Sequence, residues 1–293
     1  MKRALLFSVL IAASLVMRAQ SVPSLLVPGD ASGTIAPTVL FNADKAFENN
    51  PAAAAFAPKR IGAWGGFAVW APATAGTSIY GGGASMRFGD KFAAALSYKS
   101  LSDRPYEIVS VSGSVTGTFT PKDNIISMGA AYRVLPELSA GLMLHYVTSE
   151  IGVDMKGSAI CADLSVYYTK EALTAGASVR NLGGKINWGG DSYALPLTAS
   201  AGAAYSIAGL KAGLELSYLF EGAFGAGLGA EYTVMDIATI RAGYHLGDKA
   251  KGLASFASLG LGAGFAGVSL DVAYLLASDT LGGSLMLSLG YSF

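Results

Sequence analysis

Charge is scarce in this chain. Asp, Glu, Lys and Arg make up 14% of its residues, where an ordinary soluble domain carries about 25%. The 20 bases balance the 20 acids, so no net field points to nucleic acid or a polyanion as partner. The single cysteine, Cys161, forbids an internal disulfide and leaves no Cys-x-x-Cys pair for metal or redox chemistry. Two histidines, His145 and His245, are the conventional bases near neutral pH, and neither has a Ser and an Asp at a spacing that defines a triad. A phosphate-binding Gly-rich loop with its Lys is also missing. No catalytic, cofactor or metal site is therefore expected, and the chain is not expected to be an enzyme.

Long apolar runs are almost as rare. Residues 4–17 form one behind Lys2 and Arg3, and Arg18-Ala19-Gln20 follows it. That order predicts a signal peptide over residues 1–19. The uncharged stretch 252–270 is long enough for a membrane helix, but five glycines interrupt it and its apolar residues recur at spacing two near Ala266-Gly267. Two strands and a turn are expected there.

What the chain has is alternation and glycine, 38 of them, which would destabilise helices but relieve crowding inside a curved sheet. The segment 284–293 puts Leu285, Leu287, Leu289, Tyr291 and Phe293 on one face and Ser284, Met286, Ser288, Gly290 and Ser292 on the other. Such a strand suits lipid outside and a lumen inside. Similar strands are predicted over 61–70, 78–88, 91–99, 124–133, 137–146, 158–168, 172–181, 194–206, 210–219, 224–233, 237–245, 254–264, 267–276 and 282–293. The fold predicted is all-β: a transmembrane antiparallel barrel of about fourteen strands over 61–293, with 107–119 as a strand extension or a loop hairpin.

Connection lengths support the count. Those at 89–90, 135–136, 171, 207–209, 234–236 and 265–266 hold three residues or fewer, as periplasmic turns do. Those at 100–123, 147–157, 182–193 and 246–253 are longer and belong outside. Alternation turns Arg133, Asp163, Arg180, Lys211, Glu215, Glu231, Arg241 and Asp271 toward the lumen with Ser127 and His145. The charged residues are expected to brace the wall as pairs or to line a path. Ten tyrosines near strand ends predict two interfacial girdles. Residues 20–60, with five prolines, do not alternate, and they are expected to plug the barrel or its periplasmic mouth, or else to form a periplasmic tail. Asn50 would cap a short helix with Pro51 and Ala52 in its first turn.

Asn50-Pro51-Ala52 ahead of the first strand, Gly117-Thr118-Phe119 before the fourth, Arg180-Asn181-Leu182-Gly183 ending the seventh and Pro196-Leu197-Thr198 opening the eighth together resemble the PorV/PorQ family, over roughly residues 40–293. That family is related in fold to the FadL-type fatty-acid channels. The segments 30–34 and 42–44 depart from the family's usual Gly-Gly-Ala-rich and acidic stretch. The resemblance implies the outer membrane of a Gram-negative bacterium of the Bacteroidetes type, contact with outer-membrane lipid, and type IX secretion components and cargo proteins as partners. On that reading the outer loops bind protein, with Trp188 and Tyr193 as contacts. The other reading is a FadL-like channel for hydrophobic or small solutes.

Overall fold

A computed structural model describes residues 22–31, 46–251 and 253–293. The expected signal peptide at 1–19 and the middle of the expected plug, 32–45, lie outside these. Eighteen strands are present among the described residues: β1 Ile61–Trp70, β2 Thr77–Phe88, β3 Phe92–Ser102, β4 Tyr106–Val109, β5 Val115–Phe119, β6 Lys122–Leu135, β7 Leu138–Gly152, β8 Met155–Lys170 and β9 Leu173–Leu182. The series continues with β10 Lys185–Trp188, β11 Asp191–Ala194, β12 Thr198–Ile207, β13 Leu210–Leu219, β14 Ala223–Val234, β15 Ala238–Leu246, β16 Phe256–Phe265, β17 Val268–Leu276 and β18 Leu285–Ser292.

Fourteen of these close into one antiparallel barrel, in the order β1-β18-β17-β16-β15-β14-β13-β12-β9-β8-β7-β6-β3-β2. Closure pairs β1 with β18 from Gly62↔Ser292 to Val69↔Leu285, so no barrel strand is left with an open edge. The other four form two small outer hairpins, β4-β5 and β10-β11. The alternation at 107–119 thus belongs to a loop hairpin and leaves the barrel count at fourteen. No helix among the described residues is long and apolar enough to cross a membrane, and the stretch after Gly252 is β16, a turn and β17.

The turns expected on the periplasmic side are as tight as expected. Three of them put both central residues in the left-handed region: Ala208-Gly209, Met235-Asp236 and Ala266-Gly267, the backbone that fits the twist of a two-residue hairpin. One outer connection differs from the expectation of a loop over 147–157. There β7 and β8 pair up to Gly152↔Met155, leaving Val153-Asp154 as the turn. Alternation continues through Val147 and Ser149, both buried, and the strand follows it.

Faces follow the two-residue period. On β13, Ala212, Leu214, Leu216 and Tyr218 are exposed while Lys211, Gly213, Glu215 and Ser217 are turned in. On β18, Leu285, Leu287, Leu289 and Tyr291 face out and Met286, Ser288 and Gly290 are buried. Tyr98, Tyr146, Tyr218, Tyr244 and Tyr274 stand exposed near the outer strand ends, and Tyr132, Tyr205, Tyr232 and Tyr291 near the periplasmic ones. Tyr168 is half-buried. An apolar band edged by two tyrosine girdles is the outward face that a membrane-spanning barrel presents.

Candidate functional site in the barrel lumen

The lumen between β1 and β9 is filled in layers. At its periplasmic end lies the 3-10 turn Pro51–Phe56. Asn50 caps it by accepting from the Ala52 backbone N–H at 3.1 Å, as the sequence predicts, and donates through Nδ2 to the Val166 carbonyl at 3.2 Å. The wall holds the turn by its backbone. Ser139 Oγ donates to the Ala52 carbonyl at 2.7 Å, Ala52 N–H also reaches Ser165 Oγ at 3.1 Å, and Arg133 Nη2 donates to the Ala55 carbonyl at 2.8 Å. The Arg133 guanidinium also stacks 4.3 Å above the Phe56 ring, and Phe56 meets Tyr167 at 5.8 Å. Gly141 makes this seat: a Cβ there would lie 2.3 Å from Ala52 N. Gly129 does the same for Phe47, whose ring would stand 2.6 Å from an added Cβ.

Above the seat lies a polar layer. Ser127, His145 and Asp163 sit on three consecutive barrel strands, β6, β7 and β8. Ser127 Oγ is 2.7 Å from His145 Nδ1, His145 Nε2 faces Asp163 Oδ2 at 3.0 Å, and Asp163 Oδ1 accepts from the Asn181 N–H at 2.7 Å. Sequence spacing gives no triad, yet the fold places a Ser, a His and an Asp in line. The Asp stands on Nε2 and the Ser on Nδ1, and the void beside them is about 30 Å³, room for no more than a water or two. An acyl substrate does not fit, so the chain of contacts braces the wall.

Sequence reasoning missed Lys99 and Glu48, which share this void. Lys99 Nζ donates to the Val27 carbonyl at 2.5 Å, tying the first limb of the plug to β3. Glu48, on the second limb, has its carboxyl pushed above the ordinary value by burial, with the Lys99 charge opposing the shift. Arg180 also lines the void. Beside it β9 carries a bulge: Ala162↔Leu182 and Leu164↔Val179 leave Asp163 opposite both Arg180 and Asn181. Asn181 adopts φ +61° there, and its Nδ2 donates to the Pro196 carbonyl at 2.9 Å. Two pieces of the sequence motif, Arg180–Gly183 and Pro196–Thr198, are joined by that bond.

The outermost layer is apolar. Val22 of the plug packs with Ile125, Val147, Ala159, Cys161, Ile186, Trp188 and Leu195, all buried, and Leu25 packs against them. The β10-β11 hairpin folds inward as a roof over this layer, and Trp188 Nε1 donates to the Ser149 carbonyl at 3.3 Å. Trp188, expected as a loop contact, is therefore 5% exposed and part of the lumen packing. Tyr193, its neighbour at 5.5 Å between ring centres, stays exposed.

The opposite wall carries the remaining expected charges. Lys211 pairs in register with Glu231, and Glu231 with Arg241. Arg241 is held between Glu231 Oε2 at 3.1 Å and Asp271 Oδ1 at 2.6 Å. Gly262 leaves the space, since a Cβ there would lie 2.7 Å from Asp271 Oδ1. Glu215 faces the lumen further up β13 and also has contacts. Arg241 and Asp271 border a cavity of about 490 Å³ at the periplasmic end, with Trp64 and Thr239 on its walls.

No family model matches the sequence, and no curated protein does. Solved structures do. The toluene transporter TbuX of Ralstonia pickettii superposes with a TM-score of 0.64 at 13% identity, covering 85% of this chain and 94% of that one. A monoaromatic hydrocarbon channel, CymD, gives 0.66 at 14% identity over 94% of this chain and 99% of that one. A FadL homologue of Pseudomonas aeruginosa gives 0.55 at 14% identity over 92% and 95%. The chain is similar to these in fold, a closed antiparallel barrel of fourteen strands.

Proposed function

We propose that this protein resides in the outer membrane of a Gram-negative bacterium and passes small hydrophobic solutes through its plugged lumen. The observation that supports this most is the order of layers: a packed apolar layer under the β10-β11 roof, a charged and polar belt, then a plug seat at the far end. On this reading a solute that displaces the plug side chains from the apolar layer is drawn out of water, at roughly 25 cal/mol for each Å² of apolar surface buried. The plug residues Val22 and Leu25 occupy the place such a solute would take. Their displacement by solute is coupled to the plug through the Lys99 bond to Val27. The likeness in fold to hydrocarbon channels favours the same reading. Uptake of a labelled monoaromatic hydrocarbon by cells that lack other such channels tests it: expression of this chain should raise the rate, and an unchanged rate sinks the proposal.

A second reading, support of type IX secretion, keeps the PorV/PorQ-like motifs in its favour, with exposed Tyr193 and the β4-β5 hairpin as contacts for secretion components or cargo. In the structure three of those motifs seat the plug or shape the β9 bulge, so these have a role in the fold without a partner, whereas Gly117-Thr118-Phe119 lies in the β4-β5 hairpin. Loss of surface display of cargo on deletion, with hydrocarbon uptake unchanged, would favour this reading over the first.

A further inference from the structure

The periplasmic rim is unevenly charged. Backbone bonds place basic residues side by side at neighbouring strand ends: Arg87 N–H donates to the Arg60 carbonyl at 2.8 Å, and Arg133 N–H to the Lys91 carbonyl at 2.7 Å. Lys59 precedes Arg60, and Asp90 is the acid set among them in the β2-β3 turn. The turns on the rest of the rim carry Glu137, Glu171 and Asp236 against Lys170. Arg133 is committed to the plug and Arg87 is half-buried on the lumen face. Lys59, Arg60 and Lys91 are left exposed to solvent.

Lipid-facing aromatic rings stand directly beside these three bases. Phe88 and Phe92 flank the turn that holds Lys91, with ring centres 5.7 Å apart. Phe293 exchanges both backbone bonds with Ile61, the neighbour of Arg60, and packs on Tyr291 at 5.4 Å. Aromatic girdles mark the two interfaces of a membrane barrel, Tyr291 with its polar tip lies at headgroup depth beside Phe293, and a flexible base one residue further out reaches the phosphate level. The rings fix the depth, which selects a lipid over a soluble protein as the occupant. The asymmetry of the rim fixes the sign.

We infer that Lys59, Arg60 and Lys91, with Phe88, Phe92 and Phe293, form a binding site for the headgroup of an anionic glycerophospholipid in the periplasmic leaflet. The bases meet the phosphate and the rings flank the upper acyl chains. The attraction is electrostatic at an exposed surface, so it weakens as salt rises.

Native mass spectrometry of the full chain tests this, with the protein released from mixed micelles holding phosphatidylglycerol or phosphatidylcholine of the same acyl chains. The wild type should retain phosphatidylglycerol in preference. The triple variant Lys59→Gln/Arg60→Gln/Lys91→Gln should bind it roughly a hundredfold more weakly, Lys170→Gln should bind it as the wild type does, and each single substitution should remove part of the preference. Inorganic phosphate at equal concentration should not displace the lipid. Equal retention of the two lipids by the wild type, an unchanged preference in the triple variant, or displacement by phosphate alone would overturn the assignment.

Discussion

Arg133 of the wall grips Ala55 of the plug: its Nη2 donates to that residue's carbonyl at 2.8 Å while its guanidinium plane covers the adjacent Phe56 ring at 4.3 Å. A charged donor on a backbone acceptor contributes about 1.5 to 3 kcal/mol. The contact acts on the plug alone, because β6 keeps its ladders to β3 and β7 without it. Arg133→Ala should therefore leave the barrel folded and loosen the insert, seen as faster hydrogen exchange over Pro51–Phe56. Unchanged exchange there would count against the seat.

Gly141 gives a sharper version of the same test. Any Cβ at this position meets the Ala52 backbone at 2.3 Å, and neither partner is a flexible side chain that could swing away. Gly141→Val should push the plug off the wall and raise single-channel conductance in planar bilayers. Conductance equal to the wild type would show that the turn does not depend on this approach.

The face assignment is tested on β13. Leu214 looks into lipid and its neighbour Glu215 into the lumen. An arginine on the lipid face near the midplane costs roughly 2 to 4 kcal/mol, so Leu214→Arg should impair assembly and heat-stable migration on gels. Glu215→Gln should do far less. Equal damage from both would contradict the assignment.

Arg241 is the shared partner of two carboxylates, Glu231 and Asp271. Removing one member of a buried ion cluster costs about 3 to 5 kcal/mol, since it strands the others. Arg241→Leu should lower the thermal midpoint clearly, and adding Glu231→Gln and Asp271→Asn should restore part of the loss. No recovery in the triple variant would mean that Arg241 acts by packing.

Glu48 sets a pH dependence. Its carboxyl is held above the ordinary value of 4.5, first by burial. A raised acid contributes stability below its unfolded value, and that contribution is lost as pH rises through the folded value. Plug protection in hydrogen exchange should fall over that window, and Glu48→Gln should flatten the slope. A slope of the opposite sign would show that the Lys99 charge outweighs burial.

Strand count, turn placement and face assignment were legible in the sequence because a two-residue period with turn residues between repeats is a local signal. The Asn50 cap was legible for the same reason. The inward fold of β10-β11 was not: a four-residue strand shows two faces, and nothing in Lys185–Trp188 says which one another element will cover. The Ser127, His145 and Asp163 line depends on register across two hairpins. Its signal was present in part: Ser127 and His145 lie equally far from the turn residue Pro136 and pair in register, whereas His145 pairs with Cys161 and reaches Asp163 only diagonally. Reflection about a known turn finds residues that face each other across it. Lys99 and Glu48 could not be joined this way, because the plug has no register with the wall.

The most direct measurement is hydrocarbon uptake by vesicles carrying either the wild type or Ala159→Trp. Ala159 is buried in the packed apolar layer, and an indole there crowds the layer that a solute has to enter, while Ala159 touches neither the charged belt nor the plug seat. Wild-type vesicles should take up a labelled monoaromatic hydrocarbon faster than empty ones, and the folded variant should fall back to the empty rate. Uptake by the variant equal to the wild type, or no uptake by either, would contradict the account.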